Sequence, residues 1–270
     1  MTADYSSSFS SLSRVYGSND YAQLQQLRLC VVGIGGVGSW VVEALARTGV
    51  GHITMIDHDD VTPSNINRQL QALQSTIGQS KVELMKARVL EINPECDAVA
   101  ADDFLAEKNL FDYLLRDFDM VIDAIDSIRF KAAMIYFCRR NKIPIITTGG
   151  AGGRVNPGAV EIADLSVTWN DSLAAKVRSR LRSDYGFSAN PIRRFGIPCV
   201  FSTEQPVYPQ DDGEVGHNKP GVAGARLDCE QGYGSVSFVT GTFGFMAAGY
   251  AVNRSLALKR RKLDAVDRNS

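Results

Sequence analysis

Residues 29–47 read LCVVGIGGVGSWVVEALAR, and residues 48–81 continue TGVGHITMIDHDDVTPSNINRQLQALQSTIGQSK. Leu29 to Val32 is a short apolar run, the signature of a buried strand. Gly33, Gly35 and Gly38 follow at once in G-x-G-x-x-G spacing, with Gly36 inside the run. From Val37 to Arg47 the apolar positions 37, 41, 44 and 45 share one helical face. Gly49 ends that helix, and Val50 to Ile56 makes a second strand closing on Asp57. An acid about twenty residues beyond such a glycine turn is what a nucleotide site requires. Glycine permits the tight turn and leaves no Cβ in the path of a phosphate. The helix N-terminus presents unpaired N–H groups and a partial positive charge to that phosphate. Asp57 can accept hydrogen bonds from ribose hydroxyls. The unit implies nucleotide binding; its plainer reading is a close strand–helix turn.

The residues after Asp57 bear on which nucleotide. They are Asp59, Asp60 and Val61, then Ser64-Asn65-Ile66-Asn67-Arg68-Gln69, then Lys81. A dinucleotide's pyrophosphate needs little charge beyond what the loop supplies. A triphosphate needs more, and Arg68 and Lys81 can clamp its outer phosphates while Asn65 hydrogen-bonds them. The alternative is a polar loop leading into a solvated helix with Lys81 on its outer face. Spacing alone leaves both open.

Further along, residues 82–92 read as a helix with apolar positions 82, 85, 89 and 92, ended by Asn93-Pro94. Residues 97–101 read as a strand, 105–115 as a helix and 120–125 as a buried strand. Asp123 lies inside that strand and Asp126 at its carboxyl end, where ligands of open parallel sheets sit. Asp126 can there reach a Mg²⁺ bridging phosphates, or simply cap the next helix. Residues 128–140 read as a helix and 143–148 as a strand. The glycine run 149–153 is either a flexible connector or a close approach to a ligand. Residues 161–165 suggest an added antiparallel strand, 173–185 a helix and 200–203 a strand. Residues 206–225 form a long polar loop rich in Gly and Pro. Residues 21–27 suggest a short helix before the first strand. The alternation predicts an α/β fold: a doubly wound, mostly parallel Rossmann-like sheet with an added antiparallel C-terminal portion. Residues 1–165 read as the ATP-binding core, and 166–270 as an extension completing the same domain on the substrate side.

Taken together, G-x-G-G-x-G-S at 33–39, D-x-D-x-V at 57–61, S-N-x-x-R-Q at 64–69, Lys81 and D-A-x-D at 123–126 form one pattern. That pattern resembles the ATP-binding core of the ubiquitin-activating and sulfur-carrier-adenylating superfamily. In it a carboxylate attacks the α-phosphate of ATP, giving an acyl-adenylate and pyrophosphate. The resemblance implies that Gly33, Gly35, Gly36, Gly38, Asp57, Asp59, Asn65, Arg68, Gln69 and Lys81 hold ATP. It further implies that Arg68, Lys81 and Asp126 carry the catalysis, with Asp126 holding Mg²⁺. An N-terminal arginine of that superfamily reaches across a homodimer to the neighbour's ATP phosphates; Arg14 matches its setting. The sulfur-carrier enzymes usually carry two C-x-x-C zinc pairs, and the larger activators a catalytic-cysteine domain. This chain has neither, so it resembles the small zinc-free branch that modifies tRNA. Segments such as EINPEC, VIDAIDS, TTGGAGG, CVFSTE and TGTFGF extend that likeness along nearly the whole chain. The activity it implies is ATP-dependent cyclising dehydration of threonylcarbamoyl-adenosine in tRNA. Two other classes stay open on the sequence: adenylation of a ubiquitin-like or sulfur-carrier C-terminus, and a dinucleotide oxidoreductase or nucleotide sensor.

Bulk properties bound the rest. Net charge is −1, so the whole molecule is not a polyanion binder, and tRNA would need a local basic patch. Residues 176–194 and 259–262 hold the densest cations; each is either a solvated face or a phosphate contact. The five cysteines, Cys30, Cys96, Cys138, Cys199 and Cys229, form no zinc-type pair. Cys199 and Cys229 either pack or relay sulfur with a cysteine desulfurase partner, as relatives associate with such systems. The N-terminus has no secretory pattern, which suggests a cytoplasmic protein. Residues 235–252 carry no charge, and suit a buried helix better than a membrane span.

Overall fold

The computed structural model describes residues 5–103, 110–115, 117–210, 212–218 and 234–267. Helices α1 (Tyr5–Phe9) and α2 (Ser13–Leu24) lead into β1 (Arg28–Val32). Then come α3 (Gly38–Arg47), β2 (His52–Asp57), α4 (Lys81–Ile92), β3 (Asp97–Asp102) and α5 (Leu110–Leu114). β4 (Met120–Asp123), α6 (Ile128–Arg140), β5 (Ile145–Thr148), β6 (Val160–Asp164), α7 (Ser172–Tyr185) and β7 (Pro198–Ser202) follow. A short hairpin, β8 (Tyr208–Pro209) and β9 (Val215–Gly216), precedes α8 (Ser237–Asp267).

Seven strands form one sheet in the order β3-β2-β1-β4-β5-β7-β6. Every neighbouring pair is parallel except β6 with β7. The expected doubly wound, mostly parallel sheet with an antiparallel addition is therefore present. β1 is an inner strand, and its side chains show why it is apolar from Leu29 onward. Leu29 and Val31 enter the core beneath α3, α4 and α8, while Cys30 and Val32 enter the core beneath α6 and α7. A strand covered by helices on both faces reads as continuous apolar sequence rather than alternation. Strand order reverses between β2 and β4 around β1, so the crevice outside their carboxyl ends opens at that switch point.

The uncharged run 235–252 forms the first half of α8, packed on α3. A Cβ built at Gly244 would lie 2.6 Å from Trp40 Cβ and 2.8 Å from the Val37 carbonyl, so the glycine is what lets the two helices touch. Val239, Phe243, Ala247, Ala251 and Leu256 are buried in the core. Among the described residues no helix is long and apolar enough to cross a membrane. The basic end of α8 is partly committed within the fold: Lys259 pairs with Asp119 at 3.1 Å and Arg260 with Asp20 at 3.0 Å.

Several boundaries differ from the expectation. The helix expected over 21–27 is α2, which begins at Ser13 and ends at Leu24. It buries only Asp20 and Leu24 and breaks at Gly17 (φ +78°), so it offers little apolar periodicity to read. The strand expected to reach residue 125 ends at Asp123, where the chain turns into the crevice. Of the helix expected over 105–115, residues 110–114 are helical and 104–109 lie outside the described residues. Residues 208–216 of the expected loop contain the small hairpin; 219–225 and Cys229 lie outside the described residues.

Candidate active site

The crevice at the carboxyl ends of β1, β2, β4 and β5 is a cavity of about 490 Å³. Gly33, Gly35, Gly36, Asp57, Asp59, Asn65, Arg68, Gln69, Lys81 and Asp126 all line it. Motifs spread over more than ninety residues of chain thus converge on one wall, floor and rim. Gly38 and Arg14 do not line it. Gly38 serves packing instead, because a Cβ there would sit 1.7 Å from the Gly33 carbonyl oxygen and only glycine lets α3 start against β1. Arg14 is exposed on α2.

Each polar group is held by its neighbours. Asp57 Oδ2 accepts the Ile34 N–H at 2.5 Å, and Oδ1 accepts the Asp59 N–H at 2.9 Å. The acid therefore shapes the glycine turn, and its remaining lone pairs can take further donors. Gly33 sits at φ +87°, and a Cβ would meet the Ala124 carbonyl carbon at 2.9 Å. Gln71 reinforces the turn from below, donating to the Ile34 carbonyl at 2.8 Å and to Gln69 Oε1 at 3.2 Å. Asn65 Oδ1 accepts the Thr62 N–H at 3.0 Å.

Two cations face this turn. Lys81 is the first residue of α4, yet it is 5% exposed, so the outer-face reading is excluded. Its Nζ donates to Asp59 Oδ2 at 2.8 Å. Asp59 itself is half exposed, so the ammonium group is held by an acid that water can take back. Arg68 donates through Nη1 to the Ser64 carbonyl at 2.6 Å and Asn67 Oδ1 at 3.0 Å. Both bonds use one nitrogen, leaving Nε and Nη2 for an anion. The Trp40 indole donates to the Arg68 carbonyl at 3.0 Å and fixes the backbone beneath it. Asp126 is exposed on the turn from β4 to α6 and lines the same cavity.

The glycine run after β5 is a cavity wall rather than a connector: Gly149, Gly150, Ala151 and Gly152 line it. Two buried residues fix this wall, and sequence reading missed both. Asp171 caps α7 by accepting the Ala174 N–H at 2.8 Å, and also accepts the Gly150 N–H at 2.9 Å. Arg154, 4% exposed, donates to the carbonyls of Gly150, Gly152 and Asn170. A Cβ at Gly149 would fall 1.9 Å from Asp171 Oδ2, so the wall needs glycine there. Only the glycines signal this wall in the sequence.

Asp123, the first acid of the D-A-x-D pattern, does not face the cavity. It is fully buried with Lys131, whose Nζ lies 2.8 Å from Asp123 Oδ1. Thr147 Oγ1 donates to Asp123 Oδ2 at 2.6 Å, and Lys131 donates to Thr147 at 3.1 Å. Burial pushes the Asp123 carboxyl up, and Lys131 and Thr147 oppose that shift. This triad ties β4, β5 and α6 together directly below the turn that carries Asp126.

None of the described cysteines is exposed. Cys30, Cys96, Cys138 and Cys199 are buried, and none of them forms a disulfide. Burial pushes the Cys199 and Cys138 thiols far up and Cys96 to about 12, so none of these three is a thiolate near neutrality. Asp57, His58 and Asp59 bring one ligand atom each within 4.8 Å of one another, the densest group of cation-type ligands among the described residues.

The ThiF family profile matches residues 5–263. The chain belongs to the ThiF family. It is 49% identical over 255 residues to tRNA threonylcarbamoyladenosine dehydratase of Escherichia coli K12, covering 94% of this chain and 95% of that one. Two crystal structures of the E. coli dehydratase superpose on it. The complex with ATP gives a TM-score of 0.84 at 45% identity, covering 95% of this chain and 96% of that chain. The complex with AMP gives 0.85 at 46% identity, with the same coverage. Within the ThiF family, the likeness groups this chain with the tRNA threonylcarbamoyladenosine dehydratases.

Proposed function

We propose that the chain is an ATP-dependent dehydratase of threonylcarbamoyl-adenosine in tRNA. The observation that carries this is the convergence of Arg68, Lys81, Asn65 and Asp126 on one glycine-walled cavity, in a chain 49% identical to a named dehydratase. ATP is a substrate here. The glycine turn and the start of α3 receive its phosphates, and the free lone pairs of Asp57 receive the ribose hydroxyls. Lys81 and Arg68 neutralise the charge that builds on the phosphates, Asn65 hydrogen-bonds them, and Gln69 lines the same floor.

The free threonyl carboxylate attacks the α-phosphorus. A carboxyl O–P bond forms, the P–O bond to pyrophosphate breaks, and an acyl-adenylate results. The neighbouring carbamoyl group then attacks the activated carbonyl, and AMP leaves as the ring closes. The net loss is one water, carried off in the hydrolysis of ATP. Because the second nucleophile belongs to the same molecule, its effective concentration is already high. A catalytic cysteine is therefore unnecessary, and the buried thiols agree with that.

A Mg²⁺ ion fits the donor set: the exposed Asp126 carboxylate, with Asp59 lining the same cavity, supplies the hard oxygens that ion prefers. When bound it would supply charge neutralisation on the phosphates. A homodimer fits the placement of Arg14, which is exposed and absent from its own cavity, and so is available to a neighbour. The test is incubation with ATP, Mg²⁺ and tRNA carrying the threonylcarbamoyl group, followed by mass analysis of the nucleosides. Loss of one water from that adenosine, with matching AMP release, is expected. AMP release absent with modified tRNA would sink the proposal.

A further inference from the structure

Charge in this protein is not spread evenly. The whole chain is at −1, yet residues 127–149 and 172–200, which hold α6 and α7, contain eleven lysines and arginines and one acid, Asp184. Some of these cations serve the fold. Lys131 is buried against Asp123, Arg178 donates to the Leu165 carbonyl and Thr168, and Arg180 pairs with Asp184 at 2.9 Å. Arg182 lies over the Phe195 ring, 5.5 Å from its centroid, and Arg129 over the Phe130 ring at 5.8 Å. Lys176 stands near the start of α7, apart from the rest. What is left is a defined group: Arg139, Arg140 and Lys142 at the end of α6, and Arg193 and Arg194 in the loop before β7. All five are exposed.

The two halves of the group adjoin. Gly196 sits at φ +70°, and a Cβ there would lie 3.1 Å from Arg139 Nη1. The loop is also pinned, not loose. Asp164 accepts the backbone N–H groups of Phe195 at 3.0 Å, Gly196 at 2.7 Å and Ile197 at 3.2 Å. It further accepts the Ser166 N–H at 2.9 Å. This acid is thus spent on backbone, while Phe187 packs edge-on to Phe195 at 4.9 Å. Arg193 and Arg194 are exposed on this pinned loop, and residues 185–197 contain no acid.

Position gives the cluster its meaning. α6 and α7 both begin at the active site, where Ser127, Phe130 and Leu173 line the cavity. Both run away from it and end at the cationic group. At about 1.5 Å per residue, their 13 and 14 residues set the cluster roughly 20 Å from the cavity. That span is several phosphates of a nucleic-acid strand. We infer that the far end of α6 with the adjoining loop before β7 is a phosphate-backbone docking surface, with Arg139, Arg140, Lys142, Arg193 and Arg194 gripping tRNA away from the reacting adenosine. This rests on the proposed tRNA substrate and adds where that tRNA lies.

The experiment uses the full chain and tRNA carrying the threonylcarbamoyl group. Wild type, R193A/R194A, R139A/R140A, the charge-retaining R193K/R194K, and R261A/K262A at the exposed end of α8 are compared. Binding is measured by filter retention over a salt series, and AMP release gives KM and kcat. Each alanine pair is expected to raise Kd and KM for tRNA about tenfold and to lower the salt slope by about one to two. Affinity for ATP and kcat at saturating tRNA should stay at the wild-type value, which also reports an intact fold. The lysine pair and the α8 pair should bind as wild type does. Unchanged Kd in both alanine pairs, or equal weakening in the α8 pair, would overturn the surface. If wild type itself neither binds this tRNA nor releases AMP, the functional reading falls first.

Discussion

Lys131 and Lys81 both lie in the first turns of a helix, and both are buried, for opposite reasons. Lys131 is closed in with Asp123 and Thr147, with no path to a ligand. Truncating one partner of such a pair strands a charge, which typically costs about 3–5 kcal/mol. We predict that K131M lowers stability by about that amount in urea unfolding, and that D123N/K131M recovers part of it. Equal losses in the single and double variants would show that packing, not charge, sets the cost. Lys81 is partnered by a half-exposed acid and faces the cavity. K81A should therefore unfold near the wild-type midpoint while losing at least about a hundredfold in AMP formation, the scale expected when a preorganised charge contact is removed. A sequence reader sees two lysines and cannot separate them by composition or period. Lys81 is legible because its spacing to Asp57 and Arg68 matches a known pattern. Lys131, Arg154 and Asp171 are not, because only the closed fold gives them partners.

At the scale of elements, the glycine turn carries two different demands that one motif hides. Gly38 exists for packing, since its Cβ would strike the Gly33 carbonyl at 1.7 Å, and backbone cannot step aside. Packing makes no such demand at Gly35, where a Cβ would meet nothing nearer than Gln69 Nε2 at 3.8 Å; it lines the cavity, and the proposed reading gives it to the ligand. G38A should accordingly fail to fold or melt far lower, while G35A should fold normally and bind ATP weakly. Calorimetry of both, with and without ATP, separates the two; a G35A variant with wild-type ATP affinity would remove that glycine from the site. The same distinction explains legibility. β1, β2, α3 and α4 are readable because burial imposes apolar pattern on them. α2 is misplaced by the sequence because it buries too little to leave a pattern, and its kink at Gly17 breaks what pattern there is. The loop of Arg193 and Arg194 carries a pH signature of its own. Burial would raise the Asp164 carboxyl, but its hydrogen bonds from Ser166, Phe195 and Gly196 prevail and hold it below the usual range. A depressed carboxylate contributes stability that is complete above its unfolded value, near about pH 4, and is lost as pH falls through the folded one. Below about pH 4 wild type should therefore lose stability faster than D164N, which should already be weaker at neutrality.

For the whole molecule, the proposed homodimer raises the question of whether one chain completes its neighbour's cavity. Arg14 stands on α2, outside the lining of its own site, while every other residue assigned to ATP except Gly38 is inside it. If Arg14 acts, it acts on a second copy, and a mixing experiment distinguishes the two cases. R14A and K81A should each be nearly inactive alone. In a heterodimer of the two, the R14A protomer keeps its own Lys81 and receives Arg14 from the K81A partner, so one site is whole. Random exchange of equal amounts makes about half of the dimers mixed, each with one good site of two, so activity should return to about a quarter of wild type. Arg14 acting within its own chain yields no recovery at any ratio, because no single chain then carries both groups. Recovery that rises with incubation time, as subunits exchange, would tie the gain to the dimer itself. An R14A variant active alone would remove the arginine from the reaction and leave Arg68 and Lys81 as the cations facing the phosphates.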